Sequence, residues 1–271
     1  MTSRQTNNTV PVPSTLQLIG GALGRARRLP RSGYHRVANR VRYGPIAKYL
    51  RYSERIEGWT RGEEAVALAR AAYALPVDAV LVEIGSFLGS GTILMAGARR
   101  LRGNGIVHCV DPFDASGDNF SVPYYENITK GLARTQREQF DTNIREAGLS
   151  ALVKVHPGTA ASIGATWNEP IDLLFLDGDQ SPKGARLSFE VWSPFLKVGG
   201  IIAVHNSADR EYAAEHDGYR CVVVEKLKFP EYDGARCIGT TTFATKKVAT
   251  AIPTRPTRSR LVNPEQASVR N

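Results

Sequence analysis

The chain has 271 residues, a hydrophobic fraction of 42% and a formal net charge of +9, which suits one large domain with or without arms. No apolar run approaches the roughly 20 residues of a membrane span, and Leu16–Leu23 is short, with its arginines on the wrong side for a secretory signal. Three scattered cysteines, Cys109, Cys221 and Cys237, exclude a disulfide framework or a cysteine-built zinc site and point to a reducing, cytoplasmic setting.

The charge is unevenly placed. Residues 1–60 hold eleven Lys/Arg against two Asp/Glu, and residues 246–271 hold six against one. The body between them has 18 against 23 and is mildly acidic. Basic ends of this kind are solvated arms or contacts for an anionic membrane, a nucleic acid or an acidic partner. Segment 1–56 therefore reads as a basic arm, partly helical or disordered, 57–247 as the folded domain, and 248–271 as a disordered basic tail.

Along the domain, Thr60 and Glu63 predict a capping box for a helix over 61–74, ended by Pro76. Strands then alternate with helices. "AVLVEI" (79–84) is a strand, "GTILMAGARRL" (91–101) a helix and "GIVHCVD" (105–111) a second strand. A helix over 137–148 leads to "ALVKVH" (151–156) and "IDLLFLD" (171–177), and a helix over 185–196 leads to "IIAVH" (201–205). Continuous apolar strands separated by helices mean a parallel sheet covered on both faces. "YRCVVVEKL" and "RCIGTTTFATK" read as a closing antiparallel pair of strands.

In such a sheet ligands bind beyond the carboxyl ends of the strands, where strand order reverses. After the first strand comes Glu83-Ile84-Gly85-Ser86-Phe87-Leu88-Gly89-Ser90-Gly91-Thr92. These glycines let the backbone turn tightly and approach a ligand at a helix N-terminus. The spacing is not G-x-G-x-x-G, which argues against a dinucleotide oxidoreductase, and Glu83 would repel phosphate but suit a cationic amino-acid group. Asp111 ends the second strand, where a carboxylate can accept from ribose hydroxyls. Thr159 and Ala160 follow the third strand and are placed to contact a base. A tight turn or a helix cap is the plainer reading of each of these features.

Together, "VEIGSFLGSGT", "VDPF" and "DLLFLDGDQSPKGARLSFEVWSPFLKVGGIIAVHN" resemble a class I S-adenosylmethionine-dependent methyltransferase over residues 57–245. The last motif is similar to a bacterial subgroup of O-methyltransferases acting on sugars, glycolipids or natural products. The resemblance implies an α/β, doubly wound, mostly parallel seven-stranded sheet with the last strand antiparallel. It implies S-adenosyl-L-methionine as cofactor, held by Glu83, Gly85, Ser86, Gly89, Gly91 and Thr92, with Asp111 at the ribose and Thr159–Ala160 at the adenine.

Related enzymes often hold magnesium between an acid ending the fourth strand and an acidic pair after the fifth, so Asp177 and Asn206 are the candidate metal ligands. His205, next to Asn206, offers nitrogen where magnesium prefers oxygen. The subgroup usually carries histidine where this chain has Gln180, and glutamine cannot take a proton at neutral pH. A base must then come from elsewhere: His205 first, Asp179 second, with Asp177 beside them as the strand-ending acid. Asp177 and Asp179 could otherwise cap the following turn. Segment 112–134, with Phe113, Phe120, Tyr124 and Tyr125, reads as a substrate-binding loop or as a helix with core aromatics, and Trp59 stands opposite it.

The expected partner is a small-molecule or glycan acceptor, with peripheral contact to anionic membrane through the basic arm and self-association as further expectations. Sequence-specific nucleic-acid binding is not expected: the Asn/Asp-Pro-Pro-aromatic signature of amino-group methylation is absent, and "DGDQ" stands in its place. The other readings are a binding or scaffold protein on the same fold, favoured by Gln180, and a hydroxylation enzyme.

Overall fold

The structure is a computed structural model, and it describes residues 42–250. Contacts divide the chain after Arg42, so the folded unit starts at Tyr43. The basic arm up to residue 41, for which membrane contact is expected, and the tail beyond 250 lie outside the described residues.

A single-turn 3-10 segment, Gly44–Ile46, runs into α1 (Ala47–Ser53), followed by α2 (Gly62–Ala74), β1 (Val80–Ile84), α3 (Ser90–Arg102) and β2 (Ile106–Asp111). Next come α4 (Val122–Lys130), α5 (Gln136–Glu146), β3 (Val153–Pro157), α6 (Ala160–Gly164), β4 (Ile171–Leu176), α7 (Pro182–Trp192) and β5 (Leu196–Val204). The chain ends with α8 (Gly218–Lys226), β6 (Tyr232–Ile238) and β7 (Thr241–Lys246). The sheet order is β3-β2-β1-β4-β5-β7-β6, with β7 antiparallel to both β5 and β6. Strand order reverses between β1 and β4, where the two strands pair in parallel. Among the described residues no helix is long and apolar enough to cross a membrane.

The strands read as unbroken apolar runs because both sheet faces are covered. Successive side chains alternate faces. Leu81, Leu173 and Phe175 join a core with α1, α2 and α3, while Val82, Leu174 and Leu176 join a second core with α7 and α8. Residues 44–53, assigned by sequence to the basic arm, belong to the first core: Ile46, Tyr49 and Leu50 are buried there. Gly97 of α3 makes room for them, because a Cβ at that position would lie 2.1 Å from Cγ of Tyr49.

Three local expectations shift. The helix expected at 61–74 is capped one residue later than Thr60/Glu63: the Arg61 N–H donates to the Glu64 carboxylate at 3.2 Å. "YRCVVVEKL" is not a strand but most of α8. Its valines resemble a strand, yet Tyr219 and Val222 are buried at helical spacing and Val224 is 60% exposed. The antiparallel pair lies wholly in the following residues, where "RCIGTTTFATK" splits at Gly239 (φ +64°) into the ends of β6 and β7.

Candidate functional site

The carboxyl ends of β1, β2, β3 and β4 open into a cleft of about 410 Å³. Its floor is the glycine-rich turn. Gly85 has φ +87°, and a Cβ there would lie 2.3 Å from the Asp177 carbonyl oxygen. Only glycine satisfies both the backbone angle and the approach of β1 to β4. Gly89 (φ +91°) closes the turn through its N–H to the Ser86 carbonyl at 2.8 Å, and α3 begins immediately behind.

Glu83 is 1% exposed and lies beneath the start of that helix. The Thr92 hydroxyl donates to it, and Gly91 leaves space for its other oxygen. Burial pushes the Glu83 carboxyl up to about 7, so a cationic ligand group beside it would favour ionisation. Ser86 Oγ, also in the cleft wall, is buried without a hydrogen-bond partner.

Asp111 does more than face the cleft. Its Oδ2 accepts from the backbone N–H groups of Ser86 and Phe87, both at 2.9 Å, and Oδ1 accepts from Phe113 N–H at 2.6 Å. Three of the roughly four acceptor positions of a carboxylate are thereby used, and the turn is locked by the residue expected at the ribose. Thr159 caps α6, its hydroxyl accepting from Ser162 N–H at 3.1 Å, and with Ala160 it lines the far wall.

At the β4 end the two aspartates separate in role. Asp179 Oδ1 accepts from Ser181 N–H at 2.9 Å and so caps the turn into α7, while Asp177 lies free of that turn at the cleft wall. Asp177 keeps 21% side-chain exposure, and burial, together with the nearby carboxylates of Glu83 and Glu64, raises its pKa well above the ordinary range. Gln180 is 1% exposed and donates from Nε2 to Asp177 Oδ1 at 3.3 Å. It therefore orients the aspartate from behind.

His205 does not line the cleft. It is 2% exposed behind Asp177, with Nε2 3.9 Å from Asp177 Oδ1. Burial lowers its pKa to about 4. The sequence puts it first as the general base, and strand pairing keeps it out of the cleft: β7, laid antiparallel on β5, brings Thr241 to the imidazole. Asn206 (φ +48°) has its amide 3.2 Å from His216 Nε2. The metal expectation finds a poor donor set. Asp177 is engaged by Gln180 and Asn206 by His216, and no cluster of three His, Cys, Asp or Glu suited to a metal occurs among the described residues. Magnesium's demand for octahedral oxygen is not met by these side chains.

Much of the cleft's aromatic rim is not legible in the sequence. Trp59 (46% exposed), Phe87 and Tyr125 form a three-ring group at the cleft, with centroids 5.2 to 5.6 Å apart. The sequence points to Trp59 and Tyr125 as aromatics near the cleft, but nothing in it marks Phe87 as their partner. Helix α4, which carries Tyr125, has no buried residue. Asp118, His216 and Asn206 form a connected polar chain nearby that has no contiguous motif.

Comparison with known proteins agrees with this geometry. Residues 82–207 match the model of a methyltransferase domain family. The fold is that of a class I S-adenosylmethionine-dependent methyltransferase. Cofactor-bound Rv0187 from MTB superposes with a TM-score of 0.54 at 18% identity, over 82% of this chain and 99% of that one. The O-methyltransferase TomG from Streptomyces achromogenes, in complex with SAM, gives 0.51 at 17% identity over 75% and 90%. A protein from Clostridium thermocellum assigned as an rRNA methylase gives 0.51 at 11% identity over 70% and 98%. These likenesses establish the methyltransferase fold and do not separate O-methyltransferases from rRNA methylases.

Proposed function

We propose that this chain is an S-adenosylmethionine-dependent O-methyltransferase acting on a hydroxyl of a sugar, glycolipid or small natural product. The observation that carries the reading is Asp177, a carboxylate with a raised pKa, held by Gln180 at the cleft wall beside the glycine cradle. A carboxylate whose proton affinity is raised is a better general base for a hydroxyl than an ordinary one.

When bound, S-adenosylmethionine supplies a methyl group already activated on sulfonium, so the protein's share is positioning and deprotonation. Glu83 and the Gly85–Gly91 turn would hold its amino-acid part, Asp111 the ribose through its remaining acceptor position, and Thr159–Ala160 the adenine side. Asp177 would take the hydroxyl proton of the acceptor, Gln180 would keep the carboxylate oriented, and Trp59 and Tyr125 would bound the acceptor. Asp179 serves the turn.

Charge favours this reading over a nucleic-acid substrate. Among the described residues, the charged side chains lining the cleft are Glu57, Glu83, Asp111, Asp177 and Asp179, with no Lys, Arg or His. Such a wall offers no cation to a phosphodiester backbone, whose recognition normally rests on cations. It admits a neutral or cationic acceptor. The binding-protein alternative retains one supporting feature, Gln180 in place of a protonatable histidine.

Titration calorimetry with S-adenosylhomocysteine, in magnesium and again in EDTA, tests the cofactor and the metal together. Micromolar binding that is indifferent to EDTA is expected. No binding by folded protein would overturn the transferase reading. A screen of hydroxylated small molecules with methyl-labelled cofactor then separates enzyme from binding protein. Contact of the basic arm with membrane is a separate proposal, resting on its charge alone; equal co-sedimentation with anionic vesicles before and after removal of residues 1–41 would refute it.

A further inference from the structure

Residues 54–60 join α1 to α2 outside any helix or strand, and Glu57, Gly58, Trp59 and Thr60 of this segment line the cleft. Of these seven residues only Thr60 is buried. The segment has two apolar anchors: Ile56, packed on the first core, and the Trp59 ring, against Phe87 and Tyr125. Its carbonyl groups are gathered by one guanidinium. Arg61 Nη1 donates to the carbonyls of Ser53 at 3.1 Å and Thr60 at 3.4 Å and to Ser90 Oγ at 2.6 Å, while Nη2 donates to the Ile56 carbonyl. The carboxylates of Glu57 and Glu54, on the same segment, act on the guanidinium as well. Ser53 ends α1 and Ser90 begins α3, and their hydroxyl oxygens lie 2.8 Å apart. Gly58 allows the close approach, since a Cβ there would lie 2.8 Å from Ser90 Cβ.

We infer that Arg61 is a positioning residue for the acceptor: its guanidinium staples the 54–60 segment to the first residue of α3, and so holds Trp59 and Thr60 at a fixed distance from the glycine turn. The inference rests on the methyltransferase reading above, in which Trp59 bounds the acceptor. Arg61 does not line the cleft and acts only through the segment it binds. Its backbone is fixed independently, because its own N–H donates to the Glu64 carboxylate at the start of α2. The staple needs a planar fork. Several acceptors from four residues converge on two nitrogens of one rigid group, which the guanidinium's fixed donors can satisfy together. A lysine ammonium is a single point on a flexible stem and cannot span them. Because Ser90 directly follows the turn that would hold the cofactor, the staple ties the acceptor wall to the cofactor floor. An acceptor hydroxyl resting on Trp59 is thereby registered against the methyl donor, and registration of this kind is lost on displacements of about 1 Å.

The first test needs no acceptor. The chain has three tryptophans, and Trp167 and Trp192 are 6% and 0% exposed against 46% for Trp59, so acrylamide quenching of the full-length protein reports mainly on Trp59, with Trp59→Phe as the background. Arg61→Ala and Arg61→Lys should each raise the Trp59 quenching constant, by up to about twofold as the ring is released from its 46% exposure, in protein that is still folded. A role in stability alone would lower the urea midpoint and leave folded-state quenching at the wild-type value; that result overturns the inference. Arg61→Lys keeps the charge and most of the stem, and it decides alone if Arg61→Ala does not fold. With an acceptor in hand, Arg61→Lys should raise the acceptor KM several-fold while S-adenosylhomocysteine affinity stays within a few-fold of wild type; an unchanged KM overturns the positioning role. Failure of the wild type to bind S-adenosylhomocysteine would instead sink the methyltransferase reading, which the quenching data do not touch.

Discussion

The two halves of the cleft are built of different materials. Below β1 and β2 the wall is largely main chain: a turn with two left-handed glycines, held by N–H groups that donate to Asp111. Beyond β4 it is side chain: Asp177 backed by Gln180, with Trp59, Phe87 and Tyr125 at the lip. A backbone wall tolerates no added atom, whereas a side-chain wall can change its chemistry without changing the fold. The difference predicts that substitutions in the first half act on folding and cofactor affinity together, and that those in the second act on turnover.

The largest effect should come from Gly85→Ala. The new Cβ meets a backbone oxygen at 2.3 Å in a conformation with φ +87°, so β1 or β4 must move. A loss of about 2–4 kcal/mol in denaturant stability is expected, with S-adenosylhomocysteine binding lost by calorimetry. Retained binding at wild-type stability would erase the contrast. Asp177→Asn should do the opposite, lowering methyl transfer by about 10²–10⁴-fold while cofactor affinity stays within a few-fold of wild type.

Glu83 sharpens the comparison through pH. Its folded pKa, about 7, is raised above the ordinary value of 4.5, so the folded state binds more protons than the unfolded one between those values. Its contribution to stability is complete below about pH 4.5 and is lost as pH rises through about 7, by up to about 3 kcal/mol. The stability difference between wild type and Glu83→Gln, followed by urea denaturation, should fall over that window. Homocysteine-form cofactor should bind the wild type more tightly as pH rises through 7, since its ammonium favours the ionised carboxylate, and Glu83→Gln should flatten this dependence. The smallest effect belongs to Trp59→Ala. An exposed lip residue should cost under about 0.5 kcal/mol of stability yet raise the acceptor KM several-fold.

Legibility in the sequence followed the same division. The glycine turn, Asp111 and the five parallel strands are encoded by contiguous patterns, so period and spacing revealed them. The acceptor half depends on which distant segments meet. His205 ends a strand like any site residue, but it is covered by β7, whose Thr241 lies 36 positions later, and Thr241 in turn bonds Glu64, 177 positions away. No local pattern carries such pairings. The valine run of α8 failed for a related reason: a short apolar stretch fits either period until tertiary packing selects one.

The glycine dimple on α3 has a consequence for how far the chain can be shortened. Tyr49 plugs the hollow left by Gly97 and is 4% exposed. Cutting at Tyr43 removes nothing that the described core holds, whereas a cut at Glu57, where composition alone would put it, pulls out an aromatic stopper worth about 3–5 kcal/mol by analogy with buried aromatic-to-alanine changes. The boundary of this domain is therefore a fitted joint, and the glycine that receives the plug marks where the domain begins.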